Sequence, residues 1–363
     1  MTTPEPFLSS ETYRAREAEA MDAIGVRAIQ AFSPITFAAV GMPTRALTER
    51  GLQRYVDNLF VGKAIAYWTE RFAVSEHEAK LVQDACALAE ELTGERFGRS
   101  IRPVFTTVKS LELYRLVTSL AQAVGRPLRI LEIGPGSGYV GLYLGLAGHQ
   151  CLLMDNAEGY YLWQNRLFRR AFGDHFVETV ETGRAPERYL DGGATIVHLP
   201  WWDFVELFEA EKLPAIDLVI AEDMLGEMDR IGLRYTLRLS SRLLRGGSPG
   251  LFAYVSPGMQ FVSKVKDIHT EFCRAGFHNV RGQDFWLYAA PDTEFFRYGE
   301  GEKLRISPTP GLEQVSPSAP VPGPGSRTLD VRDVIDLPRD LTTHDYRFLE
   351  ATGVEHPFGP RRG

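Results

Sequence analysis

The sequence predicts an α/β protein: a doubly wound, mostly parallel sheet of seven strands with an antiparallel edge strand, preceded by a helical N-terminal domain. Three observations carry this. Before residue 126, apolar residues recur every three or four positions. From Arg129 the period changes, and short β-type runs alternate with helical stretches. Near the end of that region two short runs lie close enough to pair antiparallel.

From the N-terminus, Leu52, Tyr55, Val56, Leu59 and Phe60, then Leu81, Ala85, Leu88 and Leu92, place apolar side chains on single helical faces. Residues 1–126 therefore read as a helical cap or substrate domain, with Phe105 and Tyr114 as expected lid residues. Strands are expected near 128–133, 150–154, 194–199, 216–221 and 250–255, with helices between them, which is the signature of βαβ units. Asn279–Arg281 and Phe285–Ala289 supply the antiparallel pair, and the sheet domain spans 127–295. The remainder, 296–363, contains a Pro/Gly/Ser linker at 307–326 that cannot build a packed core.

Composition narrows the class of function. Hydrophobic residues at 44% and charged residues at 24% describe a soluble globular chain. A formal charge of −7 provides no broad footprint for nucleic acid, so a small-molecule substrate is the expected partner. Cys86, Cys151 and Cys273 lack C-x-x-C spacing and read as buried thiols. The opening Met1-Thr2-Thr3-Pro4 is no basic-then-apolar leader, and no run of about 18 apolar residues occurs. The expectation is a cytoplasmic protein with no membrane partner; homodimerisation is left open.

The main chemical signal is Leu131-Glu132-Ile133-Gly134-Pro135-Gly136-Ser137-Gly138. The glycines permit a turn in which backbone N–H groups approach a ligand without an intervening Cβ, and a helix starting near Tyr139 points its N-terminus there. Asp155, with Asn156 beside it, follows the second strand, where a carboxylate can accept from both hydroxyls of a ribose. Together these make a nucleoside site. Gly136, Gly138 and Gly141 also satisfy the dinucleotide pattern G-x-G-x-x-G. In a dinucleotide site, however, the first glycine should end the strand, and here the strand already ends at Gly134 with an acid inside it.

That register resembles motif I of the class I, Rossmann-like methyltransferases that use S-adenosylmethionine (SAM). The resemblance covers roughly 128–290: Asp155 after strand two, Ile216–Asp223 as strand four, and Leu243-Leu244-Arg245-Gly246-Gly247 before strand five. Within the class, His198-Leu199-Pro200-Trp201-Trp202 and Asp223-Met224-Leu225-Gly226-Glu227-Met228 are similar to stretches in sugar O-methyltransferases of bacterial natural-product pathways. Many relatives place a His where Glu227 stands, which leaves the identity of the base open.

The resemblance implies SAM as cofactor, held by Glu132, Gly134, Pro135, Gly136, Ser137, Gly138, Asp155, Asn156, Glu222 and the rings of Trp201 and Trp202. A hydroxyl acceptor must lose a proton, and the candidates at the carboxyl ends of the strands are Glu227, His198, Asp223 and Glu222. Each has a plainer reading. Asp155 could cap the following helix, Glu222, Asp223 and Glu227 could begin one, and His198, Trp201 and Trp202 could be core. Glu222 and Asp223 could ligate Mg²⁺, but without a further acid pair no metal is expected. An N-methyltransferase, a nicotinamide-dependent oxidoreductase and a non-catalytic SAM-binding interaction protein stay open.

Overall fold

The N-terminal region forms helices α1 (Ser10–Ala23) and α2 (Val26–Phe32), a 3₁₀ turn (Glu49–Tyr55), a short strand β1 (Ala73–Ser75) and helices α3 (Glu76–Phe97), α4 (Val104–Lys109) and α5 (Leu111–Val124). The computed structural model describes residues 7–32, 45–46, 48–57, 73–183, 186–210, 212–222, 224–245, 247–255, 268–282, 286–290, 296–298, 304–306, 320–321 and 327–330. Local chemistry sets the helix ends. Ser75 and Glu78 make a reciprocal capping box at the start of α3, and Gly98, at φ 66°, closes it. Helix α1 is capped by the Ser9 hydroxyl, which accepts from the Thr12 N–H.

The chain then alternates: β2 (Arg129–Ile133), α6 (Tyr139–Leu146), β3 (Gln150–Asp155), α7 (Glu158–Phe172), β4 (Phe176–Glu178), α8 (Thr179–Thr182), α9 (Pro186–Asp191), β5 (Ile196–Pro200), α10 (Trp201–Glu206), β6 (Leu218–Glu222), α11 (Arg230–Leu244), β7 (Leu251–Val255), α12 (Ile268–Arg274), β8 (His278–Gly282) and β9 (Trp286–Ala289). The strand order is β4-β5-β3-β2-β6-β7-β9-β8. All pairs are parallel except β7–β9 and β9–β8. Successive strands β2, β3 and β5 step one way and β6 and β7 the other, so the topological switch lies between β2 and β6. Ligands of open α/β sheets bind at that point, beyond the carboxyl ends of the strands.

This sheet has eight strands, one more than the sequence predicts. The addition is β4, whose three residues are too short to show an alternating pattern. The antiparallel strand, β9, sits one place in from the edge, and β8 forms the edge itself.

Among the described residues, the N-terminal helices share their apolar core with the sheet. One apolar cluster runs from Leu8 to Ala290. Helix α2 packs on α11 and α10, α1 on α7 and α10, α3 on α7 and α4, and α5 on α6. The expected lid residues fall inside it: Phe105 is buried, and buried Tyr114 meets His77 Nε2 through its hydroxyl at 3.0 Å. Cys86 and Cys151 are buried as expected, whereas Cys273 is exposed.

After the sheet come a two-stranded ribbon, β10 (Phe296–Tyr298) with β11 (Leu304–Ile306), and β12 (Thr328–Asp330), which pairs antiparallel with β1. The tail is anchored on a buried ion pair. Arg115 Nε bonds Glu78 Oε1 at 2.7 Å, and the Val321 N–H donates to the same oxygen at 2.8 Å. Most of the expected linker lies outside the described residues. No helix among the described residues is long and apolar enough to cross a membrane.

Candidate functional site

At the switch point β2 runs into the glycine turn. The Gly134 N–H donates to the Met154 carbonyl at 2.8 Å, which ties the turn to β3. Gly134 has φ 71°, and a Cβ on it would stand 2.9 Å from Met224 Cγ, so the residue must be small as well as left-handed. Gly138 is the N-cap of α6 and offers no side chain to that helix's first N–H groups. A helix start of this kind can offer its first N–H groups to a ligand.

Two carboxylates flank this helix end. Glu132 is 4% exposed, and its Oε2 has no hydrogen-bond partner. Burial, reinforced by the nearby charges of Glu222 and Asp155, pushes its carboxyl up to about 8. Asp155, at the end of β3, accepts from the Ala157 N–H at 2.9 Å and from Gln164 Nε2 at 2.8 Å. Burial raises it to about 6, against the opposing pull of those donors. It does not cap α7, whose N-cap is Ala157. Asn156 uses its amide on the Phe32 carbonyl at 3.3 Å, which pins the end of α2 to the site.

Across the switch, Glu222 ends β6 and is paired with Lys109 of α4 at 3.1 Å. Asp223 lies outside the described residues. Glu227 follows the 3₁₀ turn Met224–Gly226, with its N–H on the Met224 carbonyl at 3.0 Å. It does not begin α11: that N-cap is Asp229, whose Oδ1 accepts from the Ile231 N–H at 2.7 Å. Tyr160, on α7, has its phenol raised first by burial and then by the charges of Asp155, Tyr55, Glu227 and Asp57.

Two expectations need correction. His198 is fully buried under α7, with Nδ1 2.9 Å from Glu178 Oε2 and Nε2 2.9 Å from Gln164 Oε1. Both nitrogens are engaged within the protein. Trp201 spends its indole N–H on Glu17 of α1 at 2.8 Å, and Trp202 packs edge-on against Tyr13 at 5.0 Å. These rings form the seat of α1 rather than a platform for a ligand, because a helix laid over α10 buries its upper face.

Other residues at the site had no local signal in the sequence. The Tyr55 ring occupies the space beside Gly159, where a Cβ would come within 2.0 Å of Cζ. It stands edge-on to Tyr160 at 4.9 Å, and the Tyr139 hydroxyl donates to the Val56 carbonyl at 2.8 Å. The segment that covers the starts of α6 and α7 is thus Tyr55–Val56, not Phe105 or Tyr114. A cavity of about 410 Å³ opens at the opposite end of the strands, where Arg126 lies on Asp217; it is remote from the glycine turn.

Neither a family model nor a curated protein matches the chain. Among solved structures, it is similar to the bifunctional kinase-methyltransferase WbdD, with 14% identity and a TM-score of 0.33 over 59% of this chain and 44% of that one. It spans less than half the length of WbdD. The magnesium protoporphyrin IX methyltransferase ChlM from Synechocystis PCC 6803, with bound SAM, matches at 14% identity and TM-score 0.34 over 58% of this chain and 95% of that one. The N-methyltransferase NodS from Bradyrhizobium japonicum WM9, in complex with S-adenosylhomocysteine, matches at 14% and 0.35 over 56% and 99%. Overlap of this degree carries no argument about what this chain binds or acts on.

Proposed function

We propose that the chain is a SAM-dependent methyltransferase acting on a small-molecule hydroxyl, of a sugar or another natural-product intermediate. One observation carries the choice of ligand: the unpartnered, buried oxygen of Glu132 beside the glycine turn, in the field of Glu222 and Asp155. A carboxyl so placed ionises most readily beside a cation, and once ionised it attracts a nucleoside carrying positive charge. When bound, SAM supplies a methyl group on a cationic sulfur, its own leaving group.

The chain's residues would do the rest. Asp155 accepts from the ribose hydroxyls, while Glu132 and Glu222 face the cationic amino-acid end. The start of α6 contributes its free N–H groups. Tyr55 and Val56 keep water from the turn. Glu227 takes the acceptor's proton, and correct placement of acceptor against methyl supplies most of the remaining acceleration. An amine acceptor is the second reading.

Calorimetry with SAM, S-adenosylhomocysteine and NADH, added separately, tests the ligand. S-adenosylhomocysteine is expected to bind at micromolar strength, and Asp155→Ala to weaken it about tenfold or more, since each charged hydrogen bond is worth about 1.5–3 kcal/mol. Binding of NADH in its place would overturn the reading, and unchanged affinity in the variant would remove Asp155 from the site.

Glu132 adds a sharper signature. With its carboxyl at about 8, the free protein holds a proton there at pH 7, and a neighbouring cation should expel it. SAM and S-adenosylhomocysteine, which carry the same α-ammonium, are both expected to release protons on binding, and adenosine, which lacks it, far fewer, as read by calorimetry in buffers of different ionisation enthalpy. The same proton sets a stability trend. The folded carboxyl sits at about 8 against an ordinary 4.5, so between those values unfolding releases a proton. This contribution is fully present below about pH 4.5 and is lost as pH rises through about 8. Glu132→Gln should flatten that fall in melting temperature and abolish the proton release. A variant with the wild-type pH profile would contradict the assignment.

A further inference from the structure

Behind the turn, a chain of hydrogen bonds links four elements. Gln164, fully buried on α7, donates from Nε2 to the Gly136 carbonyl at 2.6 Å and to Asp155 Oδ2 at 2.8 Å. Both partners only accept, so the amide has one workable orientation. Its Oε1 therefore faces His198 Nε2 at 2.9 Å, and that nitrogen must carry a proton. On the other side of the ring, Nδ1 meets Glu178 Oε2 at 2.9 Å, a second acceptor, so either this nitrogen or the Glu178 carboxyl supplies a further proton. Asn165 Nδ2 donates to that oxygen at 2.9 Å, while Glu178 Oε1 accepts from the Tyr161 hydroxyl and from the Val180 N–H at 3.2 Å. The imidazole lies flat on the Tyr161 ring, with centroids 3.7 Å apart and planes 14° apart.

We infer that His198 and Gln164 are positioning residues, a relay whose proton on His198 Nε2 fixes which end of the Gln164 amide faces Asp155 and Gly136. The inference rests on the nucleoside reading of Asp155 and extends it to residues that touch no ligand. The physical argument is one of sign. An Nε2 lone pair would repel Gln164 Oε1, and the amide would turn over. Its carbonyl oxygen would then oppose the Asp155 carboxylate and the Gly136 carbonyl, so that both lose a donor in a buried site. The ring that sequence patterning offers as a base instead holds the geometry of the turn from beneath.

Two measurements on the full chain test this. The ring ¹⁵N–¹H spectrum of the ligand-free protein should show His198 Nε2 protonated, and an unprotonated Nε2 would overturn the relay whatever the ligand. The second uses a pair of variants that lose the imidazole and its contact with Tyr161 alike. In His198→Gln the side-chain amide reaches the former Nε2 position and can still donate to Gln164. In His198→Asn it reaches only the Nδ1 level. Similar losses of melting temperature are expected, with S-adenosylhomocysteine affinity near wild type in the Gln variant and about tenfold weaker in the Asn variant. Equal affinities in the two would overturn the relay. Absence of S-adenosylhomocysteine binding by the wild-type chain would overturn the nucleoside site beneath it, and the ring spectrum tells that failure apart.

Discussion

Valine at Gly136 is expected to abolish detectable S-adenosylhomocysteine binding while the α/β fold survives. Gly136 sits at φ 58°, in the left-handed region, where a β-branched residue is a true outlier. Holding an L-residue there costs about 1–2 kcal/mol, and the loop can escape that cost by rotating. Rotation would swing away the Gly136 carbonyl, which Gln164 holds at 2.6 Å, and with it the donor on Asp155. The pairing of β2 with β3 and β6 lies outside the loop and is spared. The expected result is a loss of at least about 100-fold in affinity, with circular dichroism close to wild type. Gly136→Ala, which has no β-branch, should fall in between. A folded valine variant that binds normally would show that the turn is not the cofactor loop.

Glu227→Gln should lower kcat by about 10²-fold or more with S-adenosylhomocysteine affinity unchanged, once an acceptor is in hand. The amide keeps the shape and loses the base. The helix-start alternative is removed by Asp229, which caps α11 in its place. Met224, Leu225 and Met228, which adjoin Glu227 in sequence, are buried. Near-normal kcat in the variant would transfer the role to Glu222 or Asp223. His198 is not the fallback, since neither of its nitrogens is free to meet an acceptor.

What was legible in the sequence was what local chemistry writes. The runs at β2, β3, β5, β6 and β7 are apolar because strands covered on both faces must be, and each was located to within about two residues. The glycine turn, Glu132 and Asp155 were legible because a turn before a helix needs particular residues in a fixed order. The environment of His198 was not, because its partners come from β4 and α7 and meet it only after the sheet has formed. Trp201 and Trp202 read as a platform until α1 covers them. Tyr55 packs on Tyr160 at the start of α7 and Tyr114 on Tyr143 of α6, a distinction set by how the N-terminal region lies on those helices.

The pairing of β1 with β12 bears on how the chain is made. Ser75 and Thr328 are register partners, so β1 lacks this partner until synthesis has passed Thr328. At about 5–20 residues per second, that interval is on the order of ten seconds or more. During it, Glu78 lacks the Val321 N–H that it receives in the finished fold, and an open strand edge faces the crowded cytosol or any other folding compartment. The edge is only three residues long, which limits what can add to it before the tail arrives. The β1–β12 pair can therefore form only once every strand of the central sheet has been synthesised, since all of them precede Thr328 in the chain.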